Sequence, residues 1–343
     1  MQAFDHPLES AHAPGFFLMR GVLRPNFEVP ARAAALREGL RALGIAPETP
    51  ALPERAALES VHAPDYLDWL RDAHAEWAAL PGSGGEVVSN IHPSPEMIAQ
   101  GARPSTRAVG KAGWYTADTA CPVGPGTYEA ARAAAGCALA AAEVAARGGV
   151  AYALCRPPGH HAYAARAGGH CYINNAALAA QALREAGAGR VAVLDIDSHH
   201  GNGTQGVFWT RPDVLTVSIH ADPDAYYPWF VGHAAETGAG DGAGFNLNLP
   251  QPMGTADEAW LEAVAAGIAR IRAFGAEALV VSLGFDASEH EPLAALRVTE
   301  EGFAHAGAAI AALGLPSAII QEGGYNTEVI GTLLARFLGA WRG

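Results

Sequence analysis

The feature that most restricts how this chain can fold is a series of short, unbroken apolar runs set between alanine-rich segments. They are AYALC at 151–155, VAVL at 191–194, VLTVSI at 214–219, ALVVSL at 278–283 and SAII at 317–320. A strand with one wet face alternates apolar and polar residues, so runs this continuous predict strands buried on both faces, as in a parallel sheet. The segments between them read as helices. One starts at Thr127, a capping residue with Glu129 in the first turn, and runs to Gly148. Another starts at Asn174 or Asn175 and stops at Gly187, and a third covers about 257–274, ahead of Gly275. This alternation predicts an α/β fold, an open and mainly parallel β-sheet flanked by helices on both faces. No linker or repeat divides the chain, so residues 1–343 are expected to form a single domain. Only 81–113 breaks the rhythm, with ten Gly or Pro in 33 residues. A loop that long in a compact domain is expected to be a functional or interface insertion.

Composition narrows the classes of partner. With 22 Lys and Arg against 35 Asp and Glu, the net charge is −13, which argues against nucleic acid and anionic membrane, since both require phosphate-neutralising cations. The most apolar long stretch, around 130–150, is interrupted by Arg132, Glu143 and Arg147, so no membrane span is expected. MQAFDHPLES has neither the basic nor the apolar region of a signal peptide. The four cysteines lack metal-site or disulfide spacing and suit reduced thiols. Together these features predict a soluble cytoplasmic protein.

Ligands in open parallel sheets bind beyond the carboxyl ends of the strands, and here five strand ends lead into reactive groups. The first leads to Arg156 through His161, the second to Asp195, Asp197, His199 and Asn202, the third to His220, the fourth to Asp286 and the fifth to Glu322 through Tyr325. In extended backbone, residues 195, 197 and 199 face one side. Two carboxylates and an imidazole, with Asp286 from another strand, suit a divalent ion. Zinc fits a three-ligand site with one open position, and Fe²⁺ or Co²⁺ accept the same donors. Spacing does not say which three bind. The adjacent His160 and His161 follow a Pro-Pro-Gly turn and could supply the base that takes a proton from a metal-activated water, with Asp195 and Asn202 as candidates to set their tautomers. Two carboxylate ligands blunt the ion as a Lewis acid, so a phenol donor such as Tyr325 gains value.

These motifs are recognisable. RPPGHH (156–161), GGHCYINNAA (168–177), DIDSHHGNGTQ (195–205), SLGFD (282–286) and EGGY (322–325), in this order, resemble the histone deacetylase superfamily, whose three-layer α/β/α fold is shared with arginase. FEVPARAAALREGLRALG (27–44), the Gly/Pro insertion and CPVGPGTYEAA (121–131) look like the bacterial acetylpolyamine amidohydrolases. The resemblance implies that Asp197, His199 and Asp286 bind zinc. It assigns a monovalent ion, K⁺ or Na⁺, to Asp195, Ser218 and Ile219 with the carbonyls of Asp197 and His199. Asp195 would orient His160, and Asn202 would orient His161. His161 would act as general base and then acid, with His160 in electrostatic support, and Tyr325 would polarise the amide carbonyl. Gly169, His170 and Tyr227 would line the channel, with His170 departing from the family's usual Phe or Tyr. Glu96 and Asp118 are candidates for recognising a substrate amine. The family reading is metal-water attack on the acetamide of N-acetylated polyamines or short acetylated diamines, in a homodimer built through the insertion. A protein-lysine deacetylase and a non-catalytic metal-dependent binding or sensor protein are the competing readings.

Overall fold

The structure is a computed structural model that describes residues 1–293 and 295–341. Its strands are β1 (Gln2–Phe4), β2 (Phe16–Met19), β3 (Val22–Pro25), β4 (Val150–Ala153), β5 (Val191–Asp195), β6 (Val214–Ala221), β7 (Asn246–Gln251), β8 (Ala278–Leu283) and β9 (Ser317–Gln321). Seven form one sheet in the order β1-β4-β9-β8-β5-β6-β7, and every pairing in it is parallel. β2 and β3 form a separate antiparallel hairpin. Because β5, β6, β8 and β9 are buried at every position, apolar side chains leave both faces of the sheet. One face packs under helices Ala31–Ala42, Asp257–Phe274, Glu300–Ala311 and Ile330–Gly339, and the other under Thr127–Ala146 and Asn175–Glu185. This is a three-layer α/β/α architecture.

The five runs all become strands; the one at 278–283 keeps its expected ends as β8 and the other four shift at one end or both. β4 stops at Ala153, and the Leu154 amide instead bonds the Phe4 carbonyl of β1. Neither β1 nor β7 is visible as a continuous apolar run. β1 has only three residues, and β7 (NLNLPQ) alternates because it is an edge, where Pro250 is tolerated. Asn174 caps its helix by accepting from the Ala177 amide at 2.9 Å. Thr127 does not act as a cap. Gly126 occupies that position, and the Thr127 hydroxyl accepts from the Gly124 amide and pairs with His12. The insertion is not plain loop either, since it contains the short helix Pro95–Ala99 and most of Ala108–Tyr115.

Register sets the level of the strand ends. Asp195 lies opposite Ser218 of β6 and Ser282 of β8, and Leu283 lies opposite Gln321 of β9. Whatever follows these strands therefore emerges at one edge. The helices over the sheet approach closely where small residues allow it: a Cβ at Gly39 would fall inside contact distance of the Gly331 carbonyl. In an exposed helix, Gly→Ala gains about 1 kcal/mol. Here we expect Gly39→Ala to cost about 1–3 kcal/mol through overpacking, read as a lower urea midpoint. A midpoint that stays put or rises would contradict this helix contact.

Candidate active site

The segments beyond the strand ends are tied to one another before they reach any ligand. The Glu322 carboxylate, after β9, accepts from the amides of Gly159 and His160 at 2.7 and 3.1 Å, which fixes the turn carrying the two histidines. Asn174 and Asn175 hold the same turn through the carbonyls of Ala162 and Pro157. Burial pushes Glu322 up to about 7 against the pull of His160 and the Gly159 amide. Arg32 donates to the carbonyls of Gly324 and Glu322 and pairs with Glu28, and its guanidinium lies 4.9 Å from the Tyr325 ring centroid. Glu291 accepts from the amides of Tyr325 and Asn326. Arg156 anchors the first turn to the carbonyls of Glu9 and His12 and to Glu28.

Asp197, His199 and Asp286 are brought together: one donor atom from each lies within 4.8 Å of the others, and all three residues are buried. His199 Nδ1 stands 3.2 Å from Asp197 Oδ1 and 2.9 Å from Asp286 Oδ2. Tyr226 stacks on the outer face of the imidazole, with centroids 4.6 Å apart. A Cβ at Gly284 would overlap Asp197 Oδ2, and one at Gly323 would overlap Asp286 Oδ2, so two glycines make the space. Burial opposes charge on His199, yet Asp286 and Asp197 outweigh it and raise its pKa to about 9. Burial also raises Asp286, helped by Asp197. Two desolvated carboxylates sharing one imidazolium require positive charge. Two oxygens and one nitrogen at this spacing fit a divalent cation with a further position open.

The neighbouring imidazoles are tuned in opposite directions. His160 Nδ1 contacts Asp195 Oδ2 at 2.9 Å, and Asp195 and Asp197 overcome burial to hold its pKa near 10. His161, with its ring 4.0 Å away, is pushed well below its usual value by burial and by the positive His160 and His199. Its Nδ1 donates to Asn202 Oδ1 at 2.6 Å, and the Asn202 amide is itself fixed by the Tyr163 hydroxyl. That leaves Nε2 bare, the state a general base needs. Tyr325 keeps its phenolic proton, its pKa raised well above 10 by burial and Asp286 against the pull of Arg32.

His161, Gly169, His170, His199, Asn202, Tyr227, Tyr325 and Asp118 line one cavity of about 580 Å³, together with Phe17, Trp229 and Phe230. Gly169 has φ +50°, and a Cβ there would collide with the His161 ring. Asp118 is committed to the wall. It accepts from the Gly169 amide (3.0 Å), the Ala120 amide (2.7 Å) and the Tyr227 hydroxyl (2.6 Å). Glu96 is exposed on the short helix Pro95–Ala99 and does not line the cavity. Asp195, Ser218 and Ile219 lie behind the triad, where Ser218 Oγ pairs with His220 Nδ1 at 2.8 Å. Sequence reasoning assigned no part to Arg32, Glu291 or Tyr226, and for the first two the signal was a charged residue destined for burial. Glu322 was visible in its motif but received no role.

Fold and donor chemistry together define a metal-dependent deacetylase, an enzyme that hydrolyses linear amides. The chain belongs to the histone deacetylase domain family, whose pattern it matches over residues 26–340. It is 44% identical to the acetylpolyamine amidohydrolase of Burkholderia pseudomallei (strain 1710b) over 343 residues, 99% of this chain and 98% of that one. The crystal structure of an acetylpolyamine aminohydrolase from Burkholderia pseudomallei superposes with a TM-score of 0.94 at 43% identity, covering 99% and 98% of the two chains. Histone deacetylase 8 of Arabidopsis thaliana is 39% identical over 214 residues, 59% of this chain and 56% of that one.

Asp286 and Asp197 favour the protonated form of His199 against burial, so a cation binding at the triad competes with a proton. Below pH 9, Zn²⁺ binding should release about one proton per ion, and affinity should climb about tenfold per pH unit until His199 deprotonates unaided. Calorimetry in buffers of different ionisation enthalpy measures this, and a binding heat independent of buffer would contradict it.

Proposed function

We infer that the protein hydrolyses N-acetylated polyamines or short acetylated diamines to acetate and the free amine, with zinc in the Asp197–His199–Asp286 triad. The observation that carries this reading is the pairing, in one cavity, of that triad with an Asn202-oriented neutral imidazole. Similarity along nearly the whole length of a named acetylpolyamine amidohydrolase, against little more than half of a plant histone deacetylase, favours small acetylated amines over protein lysines.

When bound, zinc supplies a Lewis acid and an acidified water. The chain's own groups supply the rest. His161 accepts a proton on Nε2 while Asn202 holds the other nitrogen protonated, so the same atom later returns that proton to the departing amine. His160, charged by its aspartate partners, adds positive field beside the reacting carbonyl. Tyr325 donates to the carbonyl oxygen as negative charge grows there, and the Glu291 and Arg32 contacts hold its loop for that purpose. Asp118 leaves a carboxylate beside the cavity that attracts a protonated amine.

Three further assignments belong to the same reading. Asp195, Ser218 and Ile219 hold K⁺ or Na⁺ with the carbonyls of Asp197 and His199, neither of which accepts a hydrogen bond among the described residues. Residues 81–113 form an insertion in one catalytic domain and build a homodimer; exposed Ile91, Met97, Ile98 and Val109 support that interface, and a purely monomeric profile in small-angle scattering would remove it. Four buried, unpaired thiols suit a cytoplasmic setting.

A turnover panel of acetylputrescine, acetylspermidine and acetyl-lysine peptides on zinc-loaded protein tests the substrate class, with faster turnover expected on the polyamines. Tyr325→Phe should retain its melting temperature and lose about 10²–10³ in kcat. Turnover close to that of the unchanged enzyme would reject the role of the phenol.

A further inference from the structure

One group in the cavity wall is left unspent. His170 is only 8% exposed and has φ +67°, and its amide bonds the Ala120 carbonyl. Its ring stands edge-on to Phe17 with centroids 5.3 Å apart, and 6.0 Å from the ring of Tyr325. Neither ring nitrogen has a partner among the described residues. Nδ1 is shut away from solvent, and the ring lines the channel beside Tyr325 and Tyr227. A phenyl ring would fill the same wall with no polar atom to desolvate, so the imidazole carries a desolvation cost that a polar ligand in the channel offsets.

The surroundings say what kind of ligand that is. Glu28 and Asp118 act on the ring as negative charges, with His199 and Arg32 opposing them, yet burial dominates and lowers its pKa to about 4. His170 thus favours its neutral form, and Asp118, bonded to the neighbouring Gly169 amide, lines the same cavity and draws cations toward it. A neutral imidazole carries one N–H and one lone pair, and no group among the described residues engages either ring nitrogen of this channel-lining histidine. A substrate N–H⁺ satisfies that lone pair, while a hydrocarbon chain does not.

We propose that His170 is a specificity residue, accepting a hydrogen bond from an ammonium or secondary ammonium group carried by the substrate close to its acetamide. It thereby favours acetylated diamines and polyamines over acetamides with plain alkyl chains. This rests on the amidohydrolase reading and sharpens it. The remaining wall, with Phe17, Tyr227 and Trp229, grips either kind of chain.

The test compares acetylputrescine with N-butylacetamide on zinc-loaded wild type, His170→Phe and His170→Asn. Asn tolerates positive φ and keeps an acceptor. Wild type should favour the cationic substrate in kcat/KM by at least about tenfold, the worth of one charge-assisted hydrogen bond. His170→Phe should erase most of that ratio by losing far more on the diamine than on the alkyl amide, and His170→Asn should keep part of it. An unchanged ratio in His170→Phe, or an equal loss on both amides, would overturn the proposal. Ligand-observed NMR competition between the two amides, on metal-free and zinc-loaded protein, reads the same preference without turnover. Selective, His170-dependent diamine binding with hydrolysis of neither amide would keep this inference and sink the proposed reaction.

Discussion

Two carboxylates, Asp197 and Asp286, buried side by side at the end of a parallel sheet, are the constraint around which the rest is arranged. Neither is tolerable alone in so dry a place. His199 bridges them, amides from Ser198 and Gly323 bond their oxygens, and Gly284 and Gly323 clear the volume they need. The sheet makes this possible. Parallel strands in register deliver their last residues to one edge, where buried backbone gives way to loops that can supply amides. The packed layers of the sandwich provide the stiffness, and the loops provide the chemistry.

The two adjacent histidines show how little the residue type decides. Both are imidazoles, one peptide bond apart, yet Asp195 draws a proton onto His160 while an uncharged Asn202 leaves His161 neutral. The positive charge on the first helps to keep the second unprotonated. Burial disfavours charge on both rings; two carboxylates overcome it at His160, and the Asn202 amide does not at His161.

Much of this was legible in the chain because burial on both sheet faces writes itself as continuous apolar runs, and because polar residues right after such runs have few reasons to be there. β5, β8 and β9 could be drawn almost to the residue. Edges were harder: β7 alternates, as a half-exposed strand must, and β1 is too short to show a period. Thr127 looked like a helix cap, but its hydroxyl was claimed by a distant histidine that no local pattern predicts. The same blindness to long-range pairing hid Arg32 and Glu291, charged residues that in sequence look like solvated surface. Asp118 and Glu96 looked alike as acidic loop residues. Only the fold separates them, one built into the wall and the other facing water.

The tie from Arg32 to the carbonyls of Glu322 and Gly324 spans almost the entire polypeptide. Arg32 finds Glu28 one turn away, but its two carbonyl acceptors lie beyond β9, so the guanidinium completes its contacts only when the last strand is in place. The same late strand joins β4 to β8, so the segment that supplies those carbonyls also closes the central sheet. The loop carrying Tyr325 is thus fastened by a side chain 292 positions earlier in the chain than the carbonyl it holds.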